Sequence, residues 1–133
     1  MVKNSTQLRV KDDEGRFGPN SRTGAMYTTM YGKESLYEAL DDWGHIAKDA
    51  GISKAALAYR WIVYHSALKK DHGDGVIIGA SKVAQLEETL KVVEDGPLDA
   101  KTVERVEEIW KKVKHEAPLD NYNSFMAVTG SSK

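Results

Sequence analysis

The chain contains no cysteine, which excludes a disulfide framework and every metal site built on thiolates. No apolar run approaches the roughly 20 residues that a membrane-spanning helix needs. The first residues are polar and lack the apolar segment of a secretory signal. Basic residues (19) and acidic residues (20) nearly balance, so a basic nucleic-acid surface is not expected. We therefore expect a cytoplasmic protein without a membrane or nucleic-acid partner.

What the chain does contain is strong helical periodicity. Apolar residues recur at spacings of three and four between Glu34 and Gly51, which is typical of an amphipathic helix that a glycine ends. Ser53 is the expected N-cap of a second helix, and Ser81 and Asp99 stand where a third and a fourth helix begin. The sequence therefore predicts a mostly α-helical chain.

One short segment, residues 76–79, predicts a strand instead. Its sequence, Val-Ile-Ile-Gly, has the composition of a strand that is buried on both faces of a parallel sheet. The order helix, strand, helix suits one unit of a repeating β/α fold, while a helical bundle with a connector at 76–79 is the alternative. We expect a single partial domain over residues 1–133. In it, a loop region (1–32) precedes helices around this strand (33–117), and a C-terminal loop or tail (118–133) follows.

The turn from this segment into the third helix carries the clearest chemistry. Gly79 permits close approach of a ligand, and Ser81 stands at a helix N-terminus, where free N–H groups and the helix dipole favour a phosphate. Lys82 adds a positive charge beside it. Polar groups suited to a base and its ribose follow on the helix: Gln85, Glu88 and Thr89. An ordinary capped and solvated helix explains the same residues, and the glycine spacing fits neither a P-loop nor a Rossmann fingerprint.

The segment "GVIIGASKVAQLEETL" resembles the C-terminal cofactor segment of the NADP(H)-dependent aldo-keto reductases, and within them the aflatoxin-aldehyde-reductase-like branch. The resemblance spans roughly residues 12 to 122 and includes "EGRFG", "MYTTMYGKESLYEAL", "SKAALAYRWIVYHSAL" and "VVEDGPLDAKTVERVEEIWKKVKHEAP". It implies that residues 76–78 form the eighth strand of a (β/α)8 TIM barrel. Because such a barrel takes about 250 residues, the chain is similar to its C-terminal portion alone.

The resemblance implies roles for individual residues. Ser81 and Lys82 would bind the adenosine 2′-phosphate of NADP(H), with Gln85 beside it, and Glu88 and Thr89 would face the adenine and its ribose. Thr89 stands where asparagine is usual in the family and would lose one amide contact to the base. Gln85 stands where many relatives carry arginine, which weakens the expected selection for the 2′-phosphate.

Further residues belong to the sites that the resemblance implies. Gly79 and Ala80 complete the cofactor-binding segment, and Arg16 resembles a loop arginine that closes over the cofactor. The substrate pocket would be lined by three tyrosines: Tyr27, Tyr31 and Tyr122. A threonine replaces the basic residue that relatives often carry beside the first pair, so a substrate with a carboxylate is not supported. The four histidines form no metal-ligand pair, and no metal is expected.

The resemblance also implies a reductase that converts aldehydes or ketones to alcohols with NADPH. The family's catalytic Asp, Tyr, Lys and His come from early barrel strands, and no residue here occupies a matching motif, so we nominate no catalytic residue. We expect the chain alone to be inactive, with a small carbonyl substrate bound only together with the missing part of the barrel. Self-association is expected, through an unpaired strand 76–79 or the apolar helix around Trp61. The alternative is a non-enzymatic helical module that binds a nucleotide or a protein.

Overall fold

The computed structural model describes residues 5–6 and 23–129, and helices dominate these parts of the chain. Between residues 23 and 129 the α-helices are α1 (Gly24–Tyr31), α2 (Glu34–Asp49), α3 (Lys54–His65), α4 (Val83–Glu94), α5 (Ala100–Val113) and α6 (Asn121–Thr129). A short 3-10 helix, Lys70–His72, lies between α3 and α4. The prediction of a mostly helical chain is confirmed. None of the helices in the described ranges combines the length and apolar composition needed to cross a membrane.

The chain folds into two compact units. The first comprises Met1–Asp42 and Glu108–Lys133, and the second comprises Trp43–Glu107. Within the first unit α1 packs against α6, and within the second unit α3 packs against α4. That these units belong to a single partial domain over residues 1–133 stays a prediction.

Two helices begin at the capping residues that the sequence predicts. The Oγ of Ser53 accepts the backbone N–H of Ala56 at 3.0 Å. The carboxylate of Asp99 accepts the backbone N–H and the hydroxyl of Thr102, at 2.9 and 2.7 Å. These hydrogen bonds, above all the one from the Thr102 hydroxyl, hold the pKa of the Asp99 carboxyl below its ordinary value of 3.8. The beginnings of α3 and α5 are therefore fixed by local side chains.

The end of α2 also follows the prediction. Gly51 adopts a φ of +67°, in the left-handed region that glycine occupies without a steric penalty. Its N–H donates to the carbonyl of Lys48 and the N–H of Ile52 donates to the carbonyl of Ala47, both at 3.0 Å. This pair of bonds is a Schellman motif, which satisfies carbonyl groups at the end of a helix.

Among the described residues, the largest side chain that is fully removed from solvent is that of Leu57, in α3 of the second unit. Other buried apolar side chains of this unit come from α2, α3, the segment before α5, and α5: Ile46, Ala47, Ala56, Leu98 and Val106. Burial of a leucine side chain stabilises a fold by about 1.5–3 kcal/mol. Leu57 is therefore a main contributor to the stability of the second unit.

Side chains of α3 also hold the last turn of α4 and the segment that follows it. The guanidinium of Arg60 donates to two carbonyl groups, at 2.7 and 2.9 Å, and the hydroxyl of Tyr64 donates to a third at 2.7 Å. The Nε2 of His65 accepts a backbone N–H at 2.9 Å. The contacted groups are the carbonyls of Gly96, Pro97 and Val93 and the N–H of Leu98. We call Arg60, Tyr64 and His65 the α3 clasp.

Residues 76–79 form no strand in this structure. The side chain of Ile77 is 98% exposed, where a strand buried on both faces was expected. A strand is stabilised by a neighbour whose N–H and C=O groups pair with its own, and residues 5–6 and 23–129 contain no strand. The predicted parallel-type strand is therefore not confirmed, and the segment connects the 3-10 helix to α4.

Helices occupy part of each terminal region for which the sequence predicts a loop. Helix α1 lies within residues 1–32, and α6 lies within residues 118–133. Asp120 accepts the backbone N–H of Asn123 at 2.6 Å and so caps α6, which holds the pKa of its carboxyl below 3.8. The centre of the predicted N-terminal loop, residues 7–22, lies outside the described residues.

Candidate functional site

The predicted cofactor-binding residues lie on the connector before α4 and on the first two turns of that helix, in the second unit. They are Gly79, Ala80, Ser81, Lys82, Gln85, Glu88 and Thr89. All are exposed except Thr89, which is half-buried. An added Cβ at Gly79 would meet no atom within 4 Å, so there is open space for a ligand beside this backbone. Arg16 lies outside the described residues.

Helix α4 begins one residue later than predicted. Its N-cap is Lys82, in an extended conformation, and the Lys82 side chain makes no capping hydrogen bond. The prediction that Ser81 caps the helix is therefore wrong, because Ser81 precedes the N-cap and its hydroxyl has a different partner. The first N–H groups of a helix have no acceptor within the helix. This exposed end of α4 thus offers backbone donors to a ligand.

The hydrogen-bond partner of the Ser81 hydroxyl is Gln85. Its side-chain Oε1 accepts both the backbone N–H of Ser81, at 3.2 Å, and the Ser81 hydroxyl, at 3.0 Å. Gln85 is the third residue of α4, the position from which Gln or Glu reaches back toward the preceding chain in a capping box. In addition, the hydroxyl of Thr89 donates to the backbone carbonyl of Gln85 at 2.8 Å. Both hydroxyl groups of the predicted cofactor segment therefore donate within the chain.

The charges at this end of α4 favour an anion. The partial positive charge of a helix N-terminus is equivalent to about half an elementary charge. The ammonium of Lys82 stands at the N-cap and forms no ion pair with any described residue. The carboxylates of the segment, Glu87 and Glu88, lie more than one turn further along the helix. A phosphate at the beginning of α4 would thus lie beside the positive charge of Lys82 and further from the carboxylates of Glu87 and Glu88.

The predicted substrate-pocket tyrosines belong to the first unit. Tyr27 and Tyr31 on α1 stack with their ring centroids 6.0 Å apart and an angle of 21° between the rings. The Tyr31 hydroxyl donates to the Oδ1 of Asn121 at 2.8 Å, which links α1 to the beginning of α6. Tyr122 is 72% exposed. The structure therefore brings together Tyr27, Tyr31 and Asn121, the last of which the sequence analysis missed because it predicted no helix there.

A second polar cluster of the first unit lies at the beginning of α2. The ammonium of Lys33 donates to the backbone carbonyl of Glu116 at 2.5 Å and lies 3.9 Å from its carboxylate. The hydroxyl of Ser35 donates to the same carboxylate. These contacts join residues more than 80 positions apart, so no local sequence signal predicts them. They hold the segment between α5 and α6 against the beginning of α2.

Metal ligation and acid–base chemistry have little support from the described residues. Among them, no group of three or more His, Asp or Glu side chains is placed to hold a metal ion. The remaining pKa shift belongs to a surface contact: a hydrogen bond to Asp42 raises the pKa of Lys112. The chemistry that the described residues support best is recognition of an anionic ligand at the beginning of α4.

Comparison with known proteins points in one direction. The sequence profile of the aldo/keto reductase family matches residues 3–111. An oxidoreductase of Leptosphaeria maculans is 34% identical over 114 residues, which cover 86% of this chain and 35% of that protein. An aldo-keto reductase of Pseudocercospora fijiensis is 42% identical over 99 residues (74% and 33%). The aflatoxin B1 aldehyde reductase member 2 of Mus musculus is 44% identical over 112 residues (81% and 30%). The chain spans about a third of the length of these curated relatives.

Proposed function

The chain belongs to the aldo/keto reductase family, in the branch of the aflatoxin aldehyde reductases, and we propose that residues 79–89 bind the adenosine end of NADP(H). The main support for this proposal is the exposed beginning of α4. The backbone N–H donors and Lys82 lie there, and no N-cap side chain accepts a hydrogen bond from the helix. The family has the (β/α)8 fold, in which phosphate groups commonly bind at a helix N-terminus near the last strands.

Four residues of the segment have a proposed part in binding. The Ser81 hydroxyl and the first backbone N–H groups of α4 would donate to the 2′-phosphate, and Lys82 would offset its charge. Glu88 and Thr89, at spacings of three and four from Gln85, would face the adenine and its ribose. Hydrogen bonds to a charged group contribute about 1.5–3 kcal/mol each. Because the segment is exposed, we expect values at the low end of that range.

When bound, the cofactor supplies the hydride that reduces a carbonyl group of an aldehyde or ketone. The residues of this chain would hold and orient the adenosine half. The proton that completes the alcohol must come from an acid beside the carbonyl oxygen, and we assign no such acid among the described residues. We therefore propose that the chain supplies the cofactor-binding part of a reductase and does not turn over substrate alone. Tyr27, Tyr31 and Tyr122 would contribute to the pocket for a small carbonyl substrate.

An NMR titration of the chain tests where nucleotides bind. Adenosine 2′,5′-bisphosphate should shift the amide signals of residues 79–89 more than those of the rest of the chain, because the 2′-phosphate approaches the beginning of α4. Adenosine 5′-monophosphate differs from it only by the absence of the 2′-phosphate, and it should shift Ser81 and Lys82 much less. Equal shifts with the two ligands, or shifts centred elsewhere, would contradict the proposal and favour a non-enzymatic module.

We also propose that the chain associates with itself through the apolar side chains around the connector and α4. Ile77 is 98% exposed, Val83 73% and Leu90 49%, and exposed apolar groups of this kind commonly mark interaction surfaces. Sedimentation velocity should therefore show a dimer that dissociates on dilution. Changing Ile77 and Val83 together to lysine should shift the equilibrium toward the monomer, whereas Leu119→Lys, at an equally exposed leucine of the first unit, should not. A wild-type monomer at every concentration would reject this proposal.

A further inference from the structure

The side-chain oxygen of Gln85 occupies the place where an anion would bind. It accepts the two donors that Ser81 offers at the beginning of α4, the backbone N–H at 3.2 Å and the hydroxyl at 3.0 Å. A phosphate oxygen in the same position could likewise accept both the backbone N–H and the hydroxyl. In this structure an amide oxygen of the protein itself fills this position.

We infer that Gln85 competes with the 2′-phosphate for Ser81 and so lowers the preference of the segment for 2′-phosphorylated nucleotides. This inference rests on the proposed function of residues 79–89. A phosphate oxygen can accept both donors of Ser81 only after Gln85 Oε1 has given up both hydrogen bonds. A nucleotide with a free 2′-hydroxyl lacks the phosphate that would accept from Ser81, so it binds without displacing Gln85. Gln85 is therefore a specificity-determining residue whose effect depends on the 2′-substituent of the ligand.

The direction of the effect distinguishes this role from a direct contact. If the Gln85 amide bound the phosphate, removing the amide would weaken binding of a 2′-phosphorylated nucleotide. If Gln85 competes with the phosphate, removing the amide strengthens binding instead. A net hydrogen bond to a neutral group is worth a factor of about two to ten in an equilibrium constant. We expect a gain of that size, because the competing bonds are exposed to water.

Gln85→Met is the test variant, because methionine keeps the length and the helix propensity of glutamine and removes the amide oxygen. The Kd of adenosine 2′,5′-bisphosphate should fall about two- to tenfold in Gln85→Met, and the Kd of adenosine 5′-monophosphate should stay unchanged. Gln85→Glu keeps an oxygen acceptor at the same distance and adds a negative charge, so it should raise the first Kd. Leu90→Met, at an exposed position of α4 outside residues 79–89, is the matched control and should change neither constant.

A measurement without ligand tests the competing pair itself. The Ser81 amide should exchange its hydrogen faster in Gln85→Met than in the wild type, because its acceptor has gone. An unchanged exchange rate would overturn the role of Gln85. So would an unchanged or increased Kd for the 2′-phosphorylated ligand. If the ligand still shifts the signals of residues 79–89, the proposed function stands in both cases. If the ligand shifts residues 79–89 in neither protein, the proposed function and this inference both fail.

Discussion

Replacing Ser81 and Lys82 together by alanine should weaken the binding of adenosine 2′,5′-bisphosphate by about tenfold to a hundredfold. The double variant removes one hydroxyl that would donate to the phosphate and one ammonium that would offset its charge. A hydrogen bond to a charged group contributes about 1.5–3 kcal/mol, and an exposed ion pair adds up to about 1 kcal/mol. Isothermal titration calorimetry of the wild type and the double variant gives the ratio of the two dissociation constants directly.

A control at the other end of α4 separates a local contact from a general effect of charge. Lys91, in the last turn of the helix, carries the same charge as Lys82 and is exposed. Lys91→Ala should leave the Kd within about twofold of the wild-type value, because charges that far apart at the surface are screened by salt. A loss in Lys91→Ala equal to that of the double variant would reject Ser81 and Lys82 as the phosphate contacts.

Leu57→Ala should lower the free energy of unfolding of the second unit by about 2–5 kcal/mol, the range found for large-to-small changes in well-packed cores. The side chain of Leu57 has 0% exposure, so its removal leaves a space that the surrounding helices fill only in part. Urea denaturation followed by circular dichroism measures the change. Since native domains are stable by only about 5–15 kcal/mol, a large share of the stability would be lost.

The matched control is a second leucine-to-alanine change at an exposed position. Leu119 is 87% exposed, and Leu119→Ala should alter the unfolding free energy by less than about 0.5 kcal/mol. The two variants remove the same atoms, so the difference between them isolates the effect of burial. Equal shifts of the two denaturation midpoints would show that Leu57 is not the core residue that its burial indicates.

Features that depend on neighbouring residues could be predicted from the sequence. Ser53 and Asp99 cap their helices through bonds that reach three residues along the chain, and Gly51 ends α2 because the left-handed conformation needs glycine. The beginning of α4 was predicted to within one residue for the same reason. The polar groups of the candidate site follow one another along the connector and α4, so their proximity can be predicted without knowledge of the tertiary structure.

Features that depend on distant partners could not be predicted. The composition of residues 76–79 suits a strand, yet a strand also requires a paired neighbour, and the described residues supply none. The contact of Lys33 with Glu116 joins residues 83 positions apart. The Ser81–Gln85 pair is local, but it depends on side-chain conformations that residue type alone does not determine. In that case the sequence singles out the two residues, whose role in cofactor binding stays a prediction, but it does not predict their hydrogen bonds.

The α3 clasp has a consequence for how this protein tolerates substitution. Arg60, Tyr64 and His65 contact backbone groups of residues 93–98, namely three carbonyls and one N–H, and those groups are present whatever side chains the segment carries. Apart from Gly96, whose φ of +82° favours glycine, the loop after α4 is therefore free to vary in its exposed side chains. The three positions on α3 are constrained to residues that reach it. Mutational scanning should therefore find that substitutions are tolerated in the loop that provides the backbone groups and are not tolerated at the three α3 positions that contact them.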